Sequence, residues 1–396
     1  MPATKAIIAR DPRFTALNWA LEDVSVSDSP GDNEVLVEMV ASGVCHTDIV
    51  LSAVPPGQVG ILYPKIMGHE GSGYARKVGK NVTSVSEGDP VLLSFYSCGK
   101  CEQCEDQHPS YCDAFARENY GGRKGHVTTT STSSTTNADP EGESESAGGE
   151  EVYSRFFGQS SFAQYSIVDE ASIMNAKDLI QSDDELALFA PLGCGFQTGM
   201  GAIENVARPD KNSVLVVLGL GSVGIAALMT AALHPHKAII GVDRLSSRLE
   251  LAKELGATHT IDTSPPGFNL NKALREIFPT GVSTVIDTTG APPLIEDGLQ
   301  SLKQRGKIVL IGVTPMQYEL GVSVVQHINS GRAVIGCIEG DCIPSEAIPK
   351  LIQWYREGRF PIEKLITYFE APEFQKALDG LNDGSVIKAV LKWKDV

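Results

Sequence analysis

The segment from Val214 to Gly224 reads VLVVLGLGSVG, an apolar run that closes on G-x-G-x-x-G. A buried strand that turns through glycines into a helix opens a βαβ unit, and few other folds tolerate the pattern. The downstream residues agree with it. AIIGV, VSTVIDTTG and KIVLIGV read as further strands, and SSRLELAKELGA and a stretch near 293–304 read as helices. Strands alternating with helices predict a parallel sheet. In that setting Gly219 permits the tight turn, Gly221 lets the backbone approach a pyrophosphate, and Gly224 lets helix and strand pack closely. The helix start offers N–H donors to the phosphates. Asp243 lies 19 residues after Gly224. Its carboxylate can accept from ribose hydroxyls and repels a 2′-phosphate, which favours NAD over NADP. Arg244 follows directly, so NADP is disfavoured rather than excluded.

The rest of the chain is organised differently. Residues 1–120 are β-rich, with EVLVEMV from Glu34 alternating apolar and polar and GDPVLLSF reading as another strand. Four of the eight cysteines, Cys98, Cys101, Cys104 and Cys112, are spaced C-x2-C-x2-C-x7-C. A chain of 396 residues with no secretory leader is expected to keep them reduced, so the cluster predicts a closed four-thiolate zinc site. His108 lies inside this lobe as a surplus fifth donor. Residues 126–151 are low in complexity, with six carboxylates and no Lys or Arg. They predict a mobile surface insert, bounded at about 123–152. Residues 344–357 read as an amphipathic helix and VIKAVLKW as a closing strand. Net charge is −16, from 33 Lys and Arg against 49 Asp and Glu, with no clustered basic stretch. That argues against a nucleic-acid binder, and no run of 18 apolar residues suggests a membrane span. A soluble cytoplasmic protein is the expectation.

A second constellation is scattered: Cys45 in GVCHTD, His69 in GHE, and Cys194 in LGCGFQTG. No spacing rule joins these residues. Taken singly, His69 reads as well as a satisfied core histidine, and Cys194 as a small buried hydrophobe. Pattern alone leaves the two readings open.

At these residues the sequence resembles the zinc-dependent medium-chain alcohol dehydrogenases. The likeness rests on GVCHTD, GHEGSG, the four-cysteine lobe, GCGFQTG, GLGSVG and the GVD beyond it, in the family's order, and covers nearly the whole chain apart from the insert. Within the family, PLGCGFQTGMGA and CIEGD look most like the aryl-alcohol, or benzyl-alcohol, branch. The resemblance implies an α/β protein with a GroES-like catalytic domain at 1–195 and 339–396. A Rossmann NAD-binding domain would span 196–338. It implies two zinc ions per chain, the catalytic one on Cys45, His69 and Cys194. Glu70 would be the nearby carboxylate, Asp48 the partner that orients His69, and Thr47 the hydroxyl that takes the alcohol proton. His46 and Lys388 would face the pyrophosphate. Thr198 and Val223 would lie by the nicotinamide, Arg248 near the adenosine ribose, and Val313 would be a further cofactor contact. Ser94, Phe95 and Ile338 would line the substrate pocket, with Glu339 beside it. Val50 departs from relatives that carry a relay histidine at this place, so the proton path beyond Thr47 stays open.

The expected reaction is hydride transfer between NAD and a primary alcohol, aromatic or allylic. An NADPH-dependent aldehyde reductase, a polyol dehydrogenase and a non-catalytic zinc-binding structural protein are the alternatives. Asp243 weighs against the first, the intact lobe and Cys194 against the second, and the complete ligand set against the third. Relatives imply a homodimer or homotetramer, with the strand-forming run Val322 to Val325 pairing across a twofold axis.

Overall fold

The computed structural model describes residues 4–12, 17–130, 149–394 and 396. The chain divides into two compact units. The first holds 1–107, 112–194 and 366–396, and the second holds 108–111 and 195–365. Residues 339–365, expected with the β-rich unit, group instead with the parallel sheet. Among the described residues no single helix is long and apolar enough to cross a membrane.

The first unit combines a closed five-stranded barrel with a seven-stranded sheet. Strand Glu34–Val44 is the sheet's axis. It pairs antiparallel with Gly71–Val78 on one side and Lys388–Lys392 on the other. The registers Ser42↔Gly71 and Val44↔Ala389 decide what meets there. They bring His69 and Glu70 alongside Gly43, and Lys388 alongside Val44. Gly43 has to be glycine, because a Cβ would sit 2.0 Å from Glu70 Oε2.

At the start of the same strand Glu34 is buried and tied down. Its carboxylate accepts from Gly31 N (2.8 Å) and Arg155 Nη1 (2.6 Å), and His126 Nε2 lies at 3.2 Å. Burial works to raise its pKa, but His126, the Gly31 amide and Arg155 outweigh it and bring it from 4.5 to about 2. A carboxyl depressed by folding stabilises above its unfolded pKa, and that gain is lost as pH falls through the folded value. Acid titration of stability is therefore expected to show a loss of about 1–2 kcal/mol between pH 4.5 and 2 from this residue, less than the full shift because water screens part of the carboxylate. Glu34→Gln should flatten that limb of a urea-midpoint profile; an unchanged limb contradicts the assignment.

The expected mobile insert is shorter than 123–152. Arg123–Thr129 and Glu151–Ser154 form an antiparallel pair, and Arg123–Thr129 continues the barrel beside Trp19–Val26. The Val and Thr residues of HVTT suit a pleated surface once a partner strand exists, which composition alone does not register. The centre of the insert, 131–148, lies outside the described residues.

The second unit is a six-stranded parallel sheet. Its strands are β1 (Val214–Leu218), β2 (Ala238–Asp243), β3 (His259–Asp262), β4 (Val282–Asp287), β5 (Leu302–Leu310) and β6 (Ala333–Gly336). Their order is β3-β2-β1-β4-β5-β6, the doubly wound arrangement whose crevice opens beyond the carboxyl ends of β1 and β4. Fully buried Val216, Leu218, Ile240, Val285 and Ile308 form the core that holds strands against helices. Helices α1 (Ser222–Ala232), α2 (Pro292–Ser301) and α3 (Val324–Ser330) matter below. The run Val322 to Val325 is not a strand: Ser323 Oγ accepts from Gln326 N and starts α3. Local capping outweighs the β preference of three valines.

Candidate active site

Cys45 ends the Glu34–Val44 strand and caps the short helix His46–Leu51. Asp48, fully buried in that helix, organises everything around it. One of its oxygens accepts from Cys45 N (2.9 Å); the other accepts from Gly68 N (3.0 Å) and pairs with His69 Nδ1 (2.9 Å). Phe157 stacks on the His69 ring at 4.5 Å, and Phe156 meets it edge-on at 5.6 Å. Orientation and packing therefore leave one direction for Nε2, which is buried and has no hydrogen-bond partner. The ligand atoms of Cys45, His69, Glu70 and Cys194 lie within 4.8 Å of one another. An unpaired buried imidazole nitrogen is unfavourable by about 1–3 kcal/mol unless something completes it. Two thiols beside it form the donor set that suits zinc, with Asp48 as the partner that fixes the ligand ring. The residues fit the ion. Charge is already poised for it: Cys194 and, against burial, His69 hold the Cys45 thiol well below its ordinary pKa.

Glu70 is fully buried, and Lys388 meets it with Nζ 2.8 Å from both oxygens. Lys388 Nζ also donates to Val44 O (3.2 Å). The pyrophosphate role expected for Lys388 is thus overturned. Its side chain is buried, with its ammonium spent on a carboxylate of the same unit. His46 is exposed, and Thr47 and Val50 are half-buried.

In the lobe, Cys101 Sγ lies 3.5 Å from Cys104 Sγ and 3.9 Å from Cys112 Sγ, and Cys98 N points at Cys112 Sγ (3.3 Å). These spacings are too long for a disulfide and match the edge, about 3.8 Å, of a tetrahedron built on roughly 2.3 Å zinc–sulfur bonds. Amides of Asp113 and Cys104 bring the Cys101 thiol down to about 6, while burial and its neighbours push Cys104 up to about 12. His108 is no ligand: its Nδ1 pairs with Asp341 (2.8 Å). Cys104→Ser, or prolonged chelation, is expected to lower the unfolding midpoint by about 5–15 °C in calorimetry, since a lobe this polar has little else to order it.

The second unit carries the dinucleotide features. Gly219 has φ +83°, and a Cβ there would meet Thr288 Oγ1 at 2.8 Å. At Gly221 a Cβ would find nothing closer than Arg248 Nη1 at 4.0 Å, so the loop offers open room. α1 begins at Ser222 with no side-chain cap, leaving its first amides for a ligand. Room and free donors together fit a pyrophosphate. Asp243 accepts from Leu220 N (2.7 Å), Arg244 N (2.7 Å) and Leu245 N (3.0 Å). It therefore braces the glycine turn as well as ending β2. Arg244 is exposed, Arg248 and Val223 are half-buried, Thr198 is buried, and Val313 is 53% exposed. Sequence reading missed Asp287 and Thr288 at the end of β4. Asp287 accepts from the amides of Thr289 and Gly290. Thr288 Oγ1 donates to Leu218 O (2.8 Å) and lies 3.1 Å from Gly219 O. The signal was DTTG at a strand end.

Family models place these two constellations in known company. Residues 31–178 match the alcohol dehydrogenase GroES-like domain, and 222–357 match the zinc-binding dehydrogenase domain. Geraniol dehydrogenase of Castellaniella defragrans is 33% identical over 94% of each chain. The chain belongs to the zinc-dependent medium-chain alcohol dehydrogenase family. Two solved structures of such dehydrogenases agree in fold over 99% of both chains. An alcohol dehydrogenase zinc-binding domain protein from Burkholderia ambifaria has TM-score 0.86 at 32% identity. Benzyl alcohol dehydrogenase from Acinetobacter calcoaceticus has TM-score 0.84 at 33%.

Two of the residues expected in the pocket are buried within the β-rich unit. Phe95 is 2% exposed and tilts against Phe115 at 5.8 Å, so its ring belongs to the core and offers no face to a substrate. Ser94 is buried too and donates to Gly193 O (2.6 Å). An aromatic just before the lobe had a second apolar surface to join, which linear sequence does not display. Ile338 stays half-buried.

Proposed function

We propose that this alcohol dehydrogenase oxidises an aromatic or allylic primary alcohol with NAD, and reduces the corresponding aldehyde in reverse. The convergence of Cys45, His69 and Cys194 around an unpartnered Nε2 carries the reading. Geraniol is an allylic primary alcohol and benzyl alcohol an aryl one, and both names stand on relatives about one-third identical.

Cys45, Cys194 and His69 Nε2 would hold zinc, which supplies a Lewis acid for the alcohol oxygen. NAD supplies the hydride acceptor. Asp48 keeps the His69 proton on Nδ1, so that Nε2 presents its lone pair. Thr47, next to the site and half-buried, takes the alcohol proton and passes it outward, with exposed His46 as its neighbour on the solvent side. Lys388 neutralises Glu70 and prevents a second uncompensated charge beside the thiolates. Gly221 and the first amides of α1 seat the pyrophosphate, while Asp243 disfavours a 2′-phosphate.

The second zinc is assigned to the four-cysteine lobe. Assembly into a homodimer or homotetramer is part of the same reading. Val324, Val325 and Ile328 on α3 are 69%, 66% and 74% exposed, an apolar face that a second copy would cover. One preparation tests all of this. Benzyl, cinnamyl and geraniol-type alcohols are expected to exceed ethanol at least tenfold in kcat/KM with NAD, with two zinc ions per chain and a sedimentation coefficient above that of a monomer. Preference for NADP, or for short aliphatic alcohols, overturns the specific reading.

A further inference from the structure

A pocket of about 490 Å³ lies where β4, β5 and β6 begin. It is lined by Arg275, Lys303, Arg332, Gln304, Asn329 and Ser330 among others, and among the described residues no carboxylate is in its walls. The chain as a whole carries a charge of −16, so three cations gathered without an acid need a cause.

Part of the cause is local. Arg275 Nη2 donates to Gln300 O (3.1 Å) and Leu302 O (3.4 Å), and Arg332 Nη2 donates to the same two carbonyls. Both guanidiniums therefore cap the carboxyl end of α2, where one cation would serve. Two like charges drawn to one pair of carbonyls repel each other. Burial first, and Arg275 second, depress the Arg332 pKa. Among the described residues the hydrogen bonds of both arginines go to carbonyl oxygens. Arg332 Nε is buried with no partner. Lys303 adds a third positive charge, and α3 turns its polar residues Gln326, Asn329 and Ser330 to the pocket, away from its apolar Val324, Val325 and Ile328.

We propose that this pocket binds a phosphate-type dianion, with Arg275, Arg332 and Lys303 as its cationic walls. A tetrahedral oxyanion presents several charged oxygens and so can accept paired, charge-assisted hydrogen bonds from two guanidinium edges at once. Binding would relieve the repulsion between the arginines and give Arg332 Nε an acceptor. The site is separate from the glycine loop. All six strands run parallel, so the amino ends of β4–β6 face the opposite edge from Gly219, about 17 Å away along β4.

The ligand has two candidate sources, free inorganic phosphate and the phosphomonoester of a small metabolite. The test is a thermal-shift and calorimetric titration of the NADH-loaded protein with sodium phosphate, glycerol phosphate and malonate, at constant ionic strength set by chloride. Wild type is expected to show a saturable rise of a few degrees with phosphate and none with malonate. Lys303→Gln and Arg332→Lys should each weaken apparent affinity at least fivefold, with alcohol oxidation unchanged in Lys303→Gln. Tighter binding of glycerol phosphate identifies an esterified ligand; tighter binding of phosphate identifies the free ion. Lys303 is exposed and outside the core, so its variant remains informative if the Arg332 variant fails to fold. No saturable response, an equal response in wild type and Lys303→Gln, or malonate matching phosphate overturns the proposal.

Discussion

His69→Ala is expected to lower kcat/KM for the best alcohol by about 10³-fold or more, while NADH binding, read from nicotinamide fluorescence, stays within twofold. The size follows from the several kcal/mol that a Lewis acid contributes to charge stabilisation at the reacting oxygen. The separation of effects follows from the architecture. His69 stands in the unit built on Glu34–Val44, whereas the glycine loop and Asp243 belong to the parallel sheet. Zinc content should fall by one ion per chain, not two, because the four lobe thiols make their own cluster. Asp48→Asn gives a graded control. It keeps the ring in place but weakens the hydrogen bond to Nδ1, and a loss of about 10- to 100-fold is expected from such a change behind a metal ligand. A His69→Ala protein that retains turnover after chelation ends the zinc-enzyme reading.

The second large effect concerns stability. Lys388→Met is expected to reduce unfolding free energy by about 3–5 kcal/mol, measured by urea denaturation, because it strands the Glu70 carboxylate in a buried site. Both partners are essentially inaccessible, and each oxygen of Glu70 lies 2.8 Å from Nζ. The double variant Glu70→Gln with Lys388→Met removes both charges together and should recover most of the loss. If the double variant is as unstable as the single one, the lysine matters for packing and not for charge compensation.

Legibility in the linear sequence divides by physical cause. The parallel sheet is legible because its signals are local. Val214 to Gly224 carries the strand, the turn and the helix start within eleven residues, and the helix expected over 344–357 runs Pro344–Arg356. Convergence of Cys45, His69 and Cys194 is not legible from pattern; it depends on strand register, and only the family likeness points to it. Register also explains the misplaced lysine. Lys388 looks free for a phosphate until the pairing of Ala389 with Val44 sets it against Glu70. Phe95 fails for a related reason, since its partner Phe115 lies across the lobe. The valines at 322–325 suggest a strand only while β preference is weighed without the Ser323 cap. At the ends of the insert, polar composition hides two strands, because their pairing needs Trp19–Val26 as a template.

The closing strand Lys388–Lys392 has a bearing on biosynthesis. Its first residue contacts Val44 across 344 positions of chain. During translation Cys45, His69 and Cys194 all emerge long before the cation that neutralises Glu70. The compensation of Glu70 therefore waits on a pairing between segments far apart in the chain, and that centre is complete only once Lys388–Lys392 has joined the sheet.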